Sequence, residues 1–287
     1  SELPAAVREL DASGTCRALV VSSEGKHFSA GMDLSVFAGG SDALSGGDAE
    51  VGRLRARLRQ TVAVLQDTFS AFEQARMPVL AAIQGGCIGG AVDMVTACDM
   101  RYASADAFFC IQEINIGMTA DVGTLQRLPK LIPEGLAREL AYRGNRMPAA
   151  RAKEVGLVNE VYETQAEMVT SVLEIAQEIA SKSPLAIWGT KEMANYTRDH
   201  SVADSLNYIA AWQSGMFQPA DMMETMVAKG EGREPDFDDL LPRPLRGRQP
   251  QLHRHLAGGD VPPRRHDGVA DGQGRGPRCR LRRSPPP

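Results

Sequence analysis

Six positions, Gly85-Gly86-Cys87-Ile88-Gly89-Gly90, hold four glycines between the apolar run Val79–Ile83 and the helix-like Ala91-Val92-Asp93-Met94-Val95-Thr96-Ala97. Glycine tolerates backbone conformations closed to other residues, so the pattern predicts a strand, a tight turn and the start of a helix. That helix would begin with backbone N–H groups unobstructed by side chains, a setting that favours a bound anion or an oxyanion formed during a reaction. Plain turn chemistry is the competing reading. Asp93 weighs against it, because one helical turn beyond Gly90 its carboxylate can overhang the surface that those N–H groups face.

Elements alternate along the chain. Residues 3–10 read as an amphipathic helix and residues 16–23 as a buried strand, and a domain that opens in mid-helix is expected to be incomplete. Residues 24–34 form a loop with two glycines around an apolar plug, followed by a flexible polar stretch at 35–50. In residues 51–75, Leu54, Leu58, Val62, Leu65, Phe69 and Phe72 fall on one face of a long helix, read as core packing, while Arg53, Arg55, Arg57 and Arg59 form a solvated side. Strands at 77–83, 99–104, 107–111 and 156–162 alternate with helices. From Glu167 the pattern is helical only. This order predicts an α/β core over residues 1–165 and a helical C-terminal subdomain over residues 166–242.

The 287-residue chain is 43% hydrophobic and 24% charged, which suits one domain with a sizeable core plus appendages. Its apolar runs fall short of a membrane span and its first residues lack the form of a signal peptide, so a cytoplasmic protein without a membrane partner is expected. Residues 243–287 hold eleven arginines, no lysine and three acids, a surplus of eight positive charges in a chain whose net charge is −4. Rich in glycine and proline and without apolar periodicity, this tail is expected to be disordered. A nucleic-acid arm is one reading of it. The favoured reading is an out-of-frame translation of a GC-rich gene, so no nucleic-acid partner is expected.

Cys16, Cys87, Cys98, Cys110 and Cys279 show no CxxC spacing and read as thiols in a reducing compartment. Only His27 and His200 lie outside the tail, which leaves a metal cluster or a histidine triad almost nothing to use, and GxGxxG, GxxxxGK[ST] and GxSxG are absent. No metal is expected, and carboxylates must carry any chemistry. Glu113 and Asp121 stand eight residues apart around a glycine-containing loop with no charge between them. If they face a pocket, burial and mutual repulsion push at least one pKa up, as a proton shuttle near neutral pH requires.

Four segments then carry a resemblance: Phe28-Ser29-Ala30-Gly31-Met32-Asp33-Leu34, Gln84-Gly85-Gly86-Cys87-Ile88-Gly89-Gly90, Cys98-Asp99-Met100-Arg101 and Glu154-Val155-Gly156-Leu157-Val158. In order and spacing, across residues 1 to about 240, they resemble the successive motifs of the enoyl-CoA hydratase/isomerase, or crotonase, superfamily. The resemblance implies an α/β fold, the ClpP/crotonase spiral of ββα units with a helical C-terminal subdomain. It also implies an acyl-CoA thioester substrate, no cofactor beyond the coenzyme A of that substrate, and a homotrimer or homohexamer. By position, the backbone N–H groups of Met32 and Gly90 would form an oxyanion hole, and Ala30, Gly31, Met32, Asp33, Leu34 and Gly90 would bind substrate.

Hydratases of the family are similar in having two glutamates where this chain has Asp93 and Glu113. The shorter Asp93 and the additional Asp121 resemble instead the family's Δ3,5-Δ2,4-dienoyl-CoA isomerases of fatty-acid β-oxidation. That likeness implies that Asp121 removes a proton from C2, Glu113 returns one at C6, and Asp93 orients or tunes Glu113. An enoyl-CoA hydratase is the alternative. So is a non-catalytic acyl-CoA-binding fragment, since the family's first strand pair and helix would precede residue 1. Asp33 and Asp99 read as structural, and His27 as a residue of the loop surface.

Overall fold

The computed structural model describes residues 2–32, 50–216 and 219–237; Asp33, Leu34, most of the stretch expected to be flexible and the Arg-rich tail lie outside the described residues. The elements run α1 (Glu2–Ser13), β1 (Leu19–Val21), α2 (Val51–Gln74), β2 (Val79–Ile83), β3 (Gly86–Ile88), α3 (Gly90–Ala97), β4 (Met100–Ser104) and β5 (Phe108–Cys110). A 3₁₀ turn (Glu113–Ile116), α4 (Thr124–Arg127), a second 3₁₀ turn (Leu128–Lys130), α5 (Glu134–Arg143), β6 (Met147–Pro148), α6 (Ala149–Glu154) and β7 (Glu160–Tyr162) follow. Four helices come last among the described residues: α7 (Gln165–Ala180), α8 (Pro184–Thr197), α9 (Val202–Met216) and α10 (Pro219–Glu231).

Two sheets form. One is fully parallel with strand order β1-β2-β4-β7; the other has the order β3-β5-β6, with β3 parallel and β6 antiparallel to β5. Each successive pair, β2–β3 and β4–β5, puts its first strand in one sheet and its second in the other before helices follow, the ββα repeat that the resemblance implies. All five residues of β2 are buried. Val79, Ala81 and Ile83 face a core with Phe72, Val92 and Val95, whereas Leu80 and Ala82 pack with Met168, Val172 and Ala176 of α7. A parallel strand covered on both faces therefore reads as an unbroken apolar run.

The glycine stretch differs from the expected single turn, because Gly86-Cys87-Ile88 is itself a strand. It follows one positive-φ glycine, Gly85 (φ 53°), and is followed by another, Gly89 (φ 57°). A Cβ on Gly85 would collide with the Lys26 carbonyl, so the first bend has no room for any other residue. Three residues between bends are too few to show a period of two, which is why composition alone conceals the strand.

The long helix also departs from expectation. Its C-terminal half packs, with Thr68, Ala71 and Phe72 buried, but Leu58 is 45% exposed and Leu54 and Val62 are only partly covered. The apolar stripe marks a face, and among the described residues only half of it meets the core. The N-terminal strand is shorter than the 16–23 reading, and its three residues are only half-buried, since β1 has a neighbour on one side alone. Cys87, Cys98 and Cys110 are buried free thiols, and burial pushes Cys98 up to about 12. Among the described residues no helix is long and apolar enough to cross a membrane.

Two buried cations tie the layers together. Arg101 donates from Nε to the Leu157 carbonyl (2.6 Å) and from Nη1 to those of Cys98 (2.7 Å) and Val95 (3.3 Å), joining the C-terminus of α3 to the turn after α6. Lys191 of α8 donates to the carbonyls of Phe72 (2.7 Å) and Met77 (3.0 Å) and pairs with Asp99 Oδ2 at 2.8 Å, while the same oxygen accepts the Val79 N–H. Asp99 thus holds the start of β2, in keeping with a structural role. Lys191→Met would leave two carbonyls and a partly buried carboxylate without their cation. It is expected to destabilise the fold by about 3 kcal/mol, the low end for a broken buried pair because the Asp99 side chain keeps 25% of its surface exposed. Chemical denaturation of the two proteins measures the difference.

Candidate active site

The loop before the unassigned stretch is held against β3. Ser29 forms a parallel bridge with Cys87, donates its N–H to the Gly86 carbonyl (3.1 Å) and accepts the Ile88 N–H (3.1 Å). Its hydroxyl accepts the Gly31 N–H at 3.2 Å, turning the chain at Gly31 (φ 86°). This brings Gly31 beside the start of α3: a Cβ there would lie 2.8 Å from the Ile88 carbonyl oxygen and 3.3 Å from the Gly90 nitrogen. Ala30, Gly31 and Met32 are exposed. His27 is also exposed, but its Nδ1 accepts the Gly86 N–H at 2.9 Å, so it fastens the first bend of the glycine stretch.

At the second bend, Gly89 donates its N–H to the Cys110 carbonyl (2.9 Å) and turns into α3. As the first residue of the helix, Gly90 has an N–H with no intrahelical acceptor. Among the described residues, nothing outside the helix's own backbone and its chain neighbours lies within 4 Å of the position that its Cβ would take, so no described side chain covers the helix start there. The carboxylate of Glu113 lies at its edge, with Oε1 3.3 Å from the position that a Cβ on Gly89 would take.

Asp93 is 0% exposed. Its Oδ1 accepts the Thr124 N–H at 2.6 Å, and its Oδ2 is buried without a hydrogen-bond partner, as is Glu113 Oε2. The bond to Thr124 links α3 to the first residue of α4, three positions after Asp121. Asp121 itself is exposed, and its backbone carbonyl accepts from Gln66 Nε2 of α2 at 2.7 Å. Burial pushes Asp93 above the usual aspartate range, against the Thr124 hydrogen bond and the nearby Arg127, with Asp121 adding to the rise. Burial likewise raises Glu113; its own backbone N–H opposes the shift, and the charges of Asp93 and Asp121 reinforce it. The three acids thus share one electrostatic neighbourhood beside the opening of α3.

The structure brings together Ala30, Gly31, Met32, Gly90, Asp93, Glu113 and the loop bearing Asp121, while Asp33 and Leu34 lie outside the described residues. Sequence reasoning did not single out Gln66, Thr124 or Arg127, each of which holds the acid loop. Gln66 sits off the apolar stripe of α2 and meets its partner 55 residues away, so no local pattern marks it. Among the described residues no group of three or more His, Cys, Asp or Glu could hold a metal ion.

A helix start whose first N–H has no intrahelical acceptor, flanked by carboxylates of raised pKa, is an arrangement able to stabilise an enolate while moving protons beside it. Residues 1–240 match the enoyl-CoA hydratase/isomerase family, and the chain belongs to it. The human protein named mitochondrial Δ3,5-Δ2,4-dienoyl-CoA isomerase is 47% identical over 220 residues, which cover 76% of this chain and 66% of that protein. This chain therefore spans just under two thirds of that relative's length. A peroxisomal protein of the same name from Arabidopsis thaliana is 41% identical over 239 residues, covering 83% of this chain and 86% of the relative. Among solved structures, enoyl-CoA hydratase from Bacillus anthracis superposes with a TM-score of 0.72 at 29% identity, covering 83% and 87% of the two chains. These relatives overturn the cytoplasmic expectation, since their names place them in mitochondria and peroxisomes. Compartment is set by targeting segments, so the composition of a folded domain does not decide it.

The raised carboxyl of Glu113 also sets a pH dependence. A carboxyl that holds its proton more tightly in the native than in the unfolded chain makes stability fall as pH rises from the ordinary glutamate range through the raised native value. Glu113→Gln removes that titration. Urea unfolding at a series of pH values should show a smaller loss of stability as pH rises above the ordinary glutamate range, about pH 4, in the variant than in the wild type.

Proposed function

We propose that this chain isomerises 3,5-dienoyl-CoA to 2,4-dienoyl-CoA as part of fatty-acid β-oxidation. The observation that carries this reading is the placement of three unlike carboxylates around one helix start: Asp93 buried, Glu113 half-buried and Asp121 exposed. The names of the human and Arabidopsis relatives support it.

The thioester carbonyl would lie between the N–H groups of Met32 and Gly90, beside Ala30, Gly31, Asp33 and Leu34. Asp121 would take a proton from C2, and the electron pair left behind would delocalise onto the thioester oxygen and along the diene. The two N–H groups stabilise that oxyanion, each such donor contributing about 3 to 4 kcal/mol to the transition state. Glu113 would then give a proton to C6 as the remaining double bonds move to the 2 and 4 positions. The raised pKa of Glu113 suits it to start the cycle protonated. Water returns a proton to Glu113 and removes one from Asp121. Asp93, whose charge raises Glu113, would hold it in that state. Proton transfer of this kind needs carboxylates and backbone N–H groups alone, with coenzyme A entering as part of the substrate.

The same reading divides the chain into a catalytic core over residues 1–165, a helical subdomain over 166–242 and a separate tail over 243–287. The subdomain would assemble the chain into a homotrimer or homohexamer. Val202 and Leu206 on α9 and Met222, Met223, Met226 and Val227 on α10 are exposed large apolar residues suited to such a contact.

Ultraviolet absorbance with a 3,5-dienoyl-CoA tests the reaction, beside 2-enoyl-CoA as a control. The conjugated 2,4-dienoyl thioester should appear with the wild type, and Asp121→Asn should slow it by roughly 10²- to 10⁴-fold, the range for loss of a general base. Consumption of 2-enoyl-CoA instead, unchanged by that substitution, would assign a hydratase.

A further inference from the structure

The loop bearing Asp121 is short of regular structure: between the 3₁₀ turn ending at Ile116 and the start of α4 it forms no helix or strand. It is held by three contacts that involve α2, α3 and α4. Gln66 Nε2 donates to the Asp121 carbonyl at 2.7 Å, and Thr124 N–H donates to Asp93 at 2.6 Å. Arg127 Nη1 donates back to the Val122 carbonyl at 3.3 Å. The guanidinium lies directly over Gly123, where a Cβ would collide with it, and Gly123 adopts φ 136°. Arg127 Nη2 in turn pairs with Glu73 Oε2 at 2.7 Å, and Glu73 Oε1 pairs with Arg198, the residue after α8, at 2.9 Å. The Arg127 side chain is only 12% exposed, so this pair is shielded and fixed in a way that a surface pair is not.

We propose that Arg127 and Gln66 are positioning residues which clamp residues 121–123 to α2 and thereby set where the Asp121 carboxylate stands relative to Glu113 and the helix start. The proposal rests on the isomerase reading. Gln66 and Glu73 are seven positions apart on α2, two helical turns, so one face of that helix holds the loop at both ends. The Gly123 side-chain position is filled by the arginine itself. The clamp acts on geometry through the loop that carries Asp121.

Arg127 has a second effect, through charge. Its guanidinium opposes the rise of the Asp93 pKa, while burial and Asp121 favour it; Glu113 and Cys87 are the other titrating groups that feel Asp93. A lysine at position 127 would keep the charge but lose the forked contact to Val122 and Glu73.

The experiment compares wild type, Gln66→Ala, Arg127→Met and Arg127→Lys in the 3,5-dienoyl-CoA assay and by hydrogen–deuterium exchange of the full chain. Gln66 is exposed, so its removal leaves the fold intact and carries the test even if Arg127→Met unfolds. Gln66→Ala and Arg127→Met should each lower kcat by between about tenfold and 10²-fold with KM unchanged, the signature of a misplaced reacting group. Amides of residues 121–124 should exchange about tenfold faster in both, with β2 and α3 as protected as in wild type. The acid limb of the kcat–pH profile should move up in Arg127→Met and stay in place in Arg127→Lys. Wild-type kcat in both Gln66→Ala and Arg127→Met, or unchanged exchange of the loop, overturns the clamp. A wild type that shows the protected loop but no dienoyl-CoA turnover overturns the isomerase reading and this assignment with it.

Discussion

The hydrogen bond from the Thr124 N–H to the buried carboxylate of Asp93 is the contact on which the arrangement of the site depends. A carboxylate without exposed surface is expensive to desolvate, and here one of its two oxygens has no hydrogen-bond partner among the described residues. An apolar side chain of similar size would pack in α3 without that penalty, as replacements of buried charges in other proteins show. What the acid does that an apolar residue could not is bind an N–H of a segment 31 residues away. Through it the first turn of α3 and the first residue of α4 become one unit. The acid loop is then suspended between two fixed points, Thr124 on one side and the 3₁₀ turn carrying Glu113 on the other.

Around that bond, the backbone must come close enough for three separate segments to share one opening. Gly31, Gly89 and Gly90 make this possible for different reasons. Gly31 needs a left-handed φ and has carbonyl and amide atoms where a Cβ would sit, so both conformation and space exclude other residues. Gly89 needs the left-handed turn and carries the Glu113 carboxylate above it. Gly90 needs neither, and its role is to leave the helix start uncovered. These three glycines therefore do not repeat one function; each removes a different obstruction.

Much of this was legible in the chain. The unbroken apolar run of β2 announced a strand, and the helical pattern from Glu167 announced the helices α7 to α10. Glu113 and Asp121 stood out because no charge lies between them, Asp93 because it falls one helical turn beyond Gly90, and the helix start of α3 was marked by its glycines. What escaped was decided by contacts between distant segments. Strand β3 is three residues long and is defined by pairing with Phe108, Phe109 and Cys110, which no local period reports. The apolar stripe of α2 was read as uniformly buried, whereas periodicity fixes which face is apolar and not what, if anything, covers each part of it. Gln66, Thr124 and Arg127 are ordinary helix residues in isolation. Their roles appear only when α2 is laid beside the acid loop.

The same contrast explains how one site can hold acids of different character. Glu113 and Asp121 are only eight residues apart, yet one carboxylate has a buried oxygen without a partner and the other side chain is exposed to water. Desolvation favours the neutral form of the first, while the second faces water. The negative charge of Asp121 adds to the rise at Glu113. A single proton shared unequally between two carboxylates is what a reaction needs when it lifts a proton from one carbon and sets one down four carbons away. The protein need not change its net charge during that transfer. Under the isomerase reading, selectivity over addition of water would come from the unequal surroundings of Glu113 and Asp121 rather than from the number of acids present.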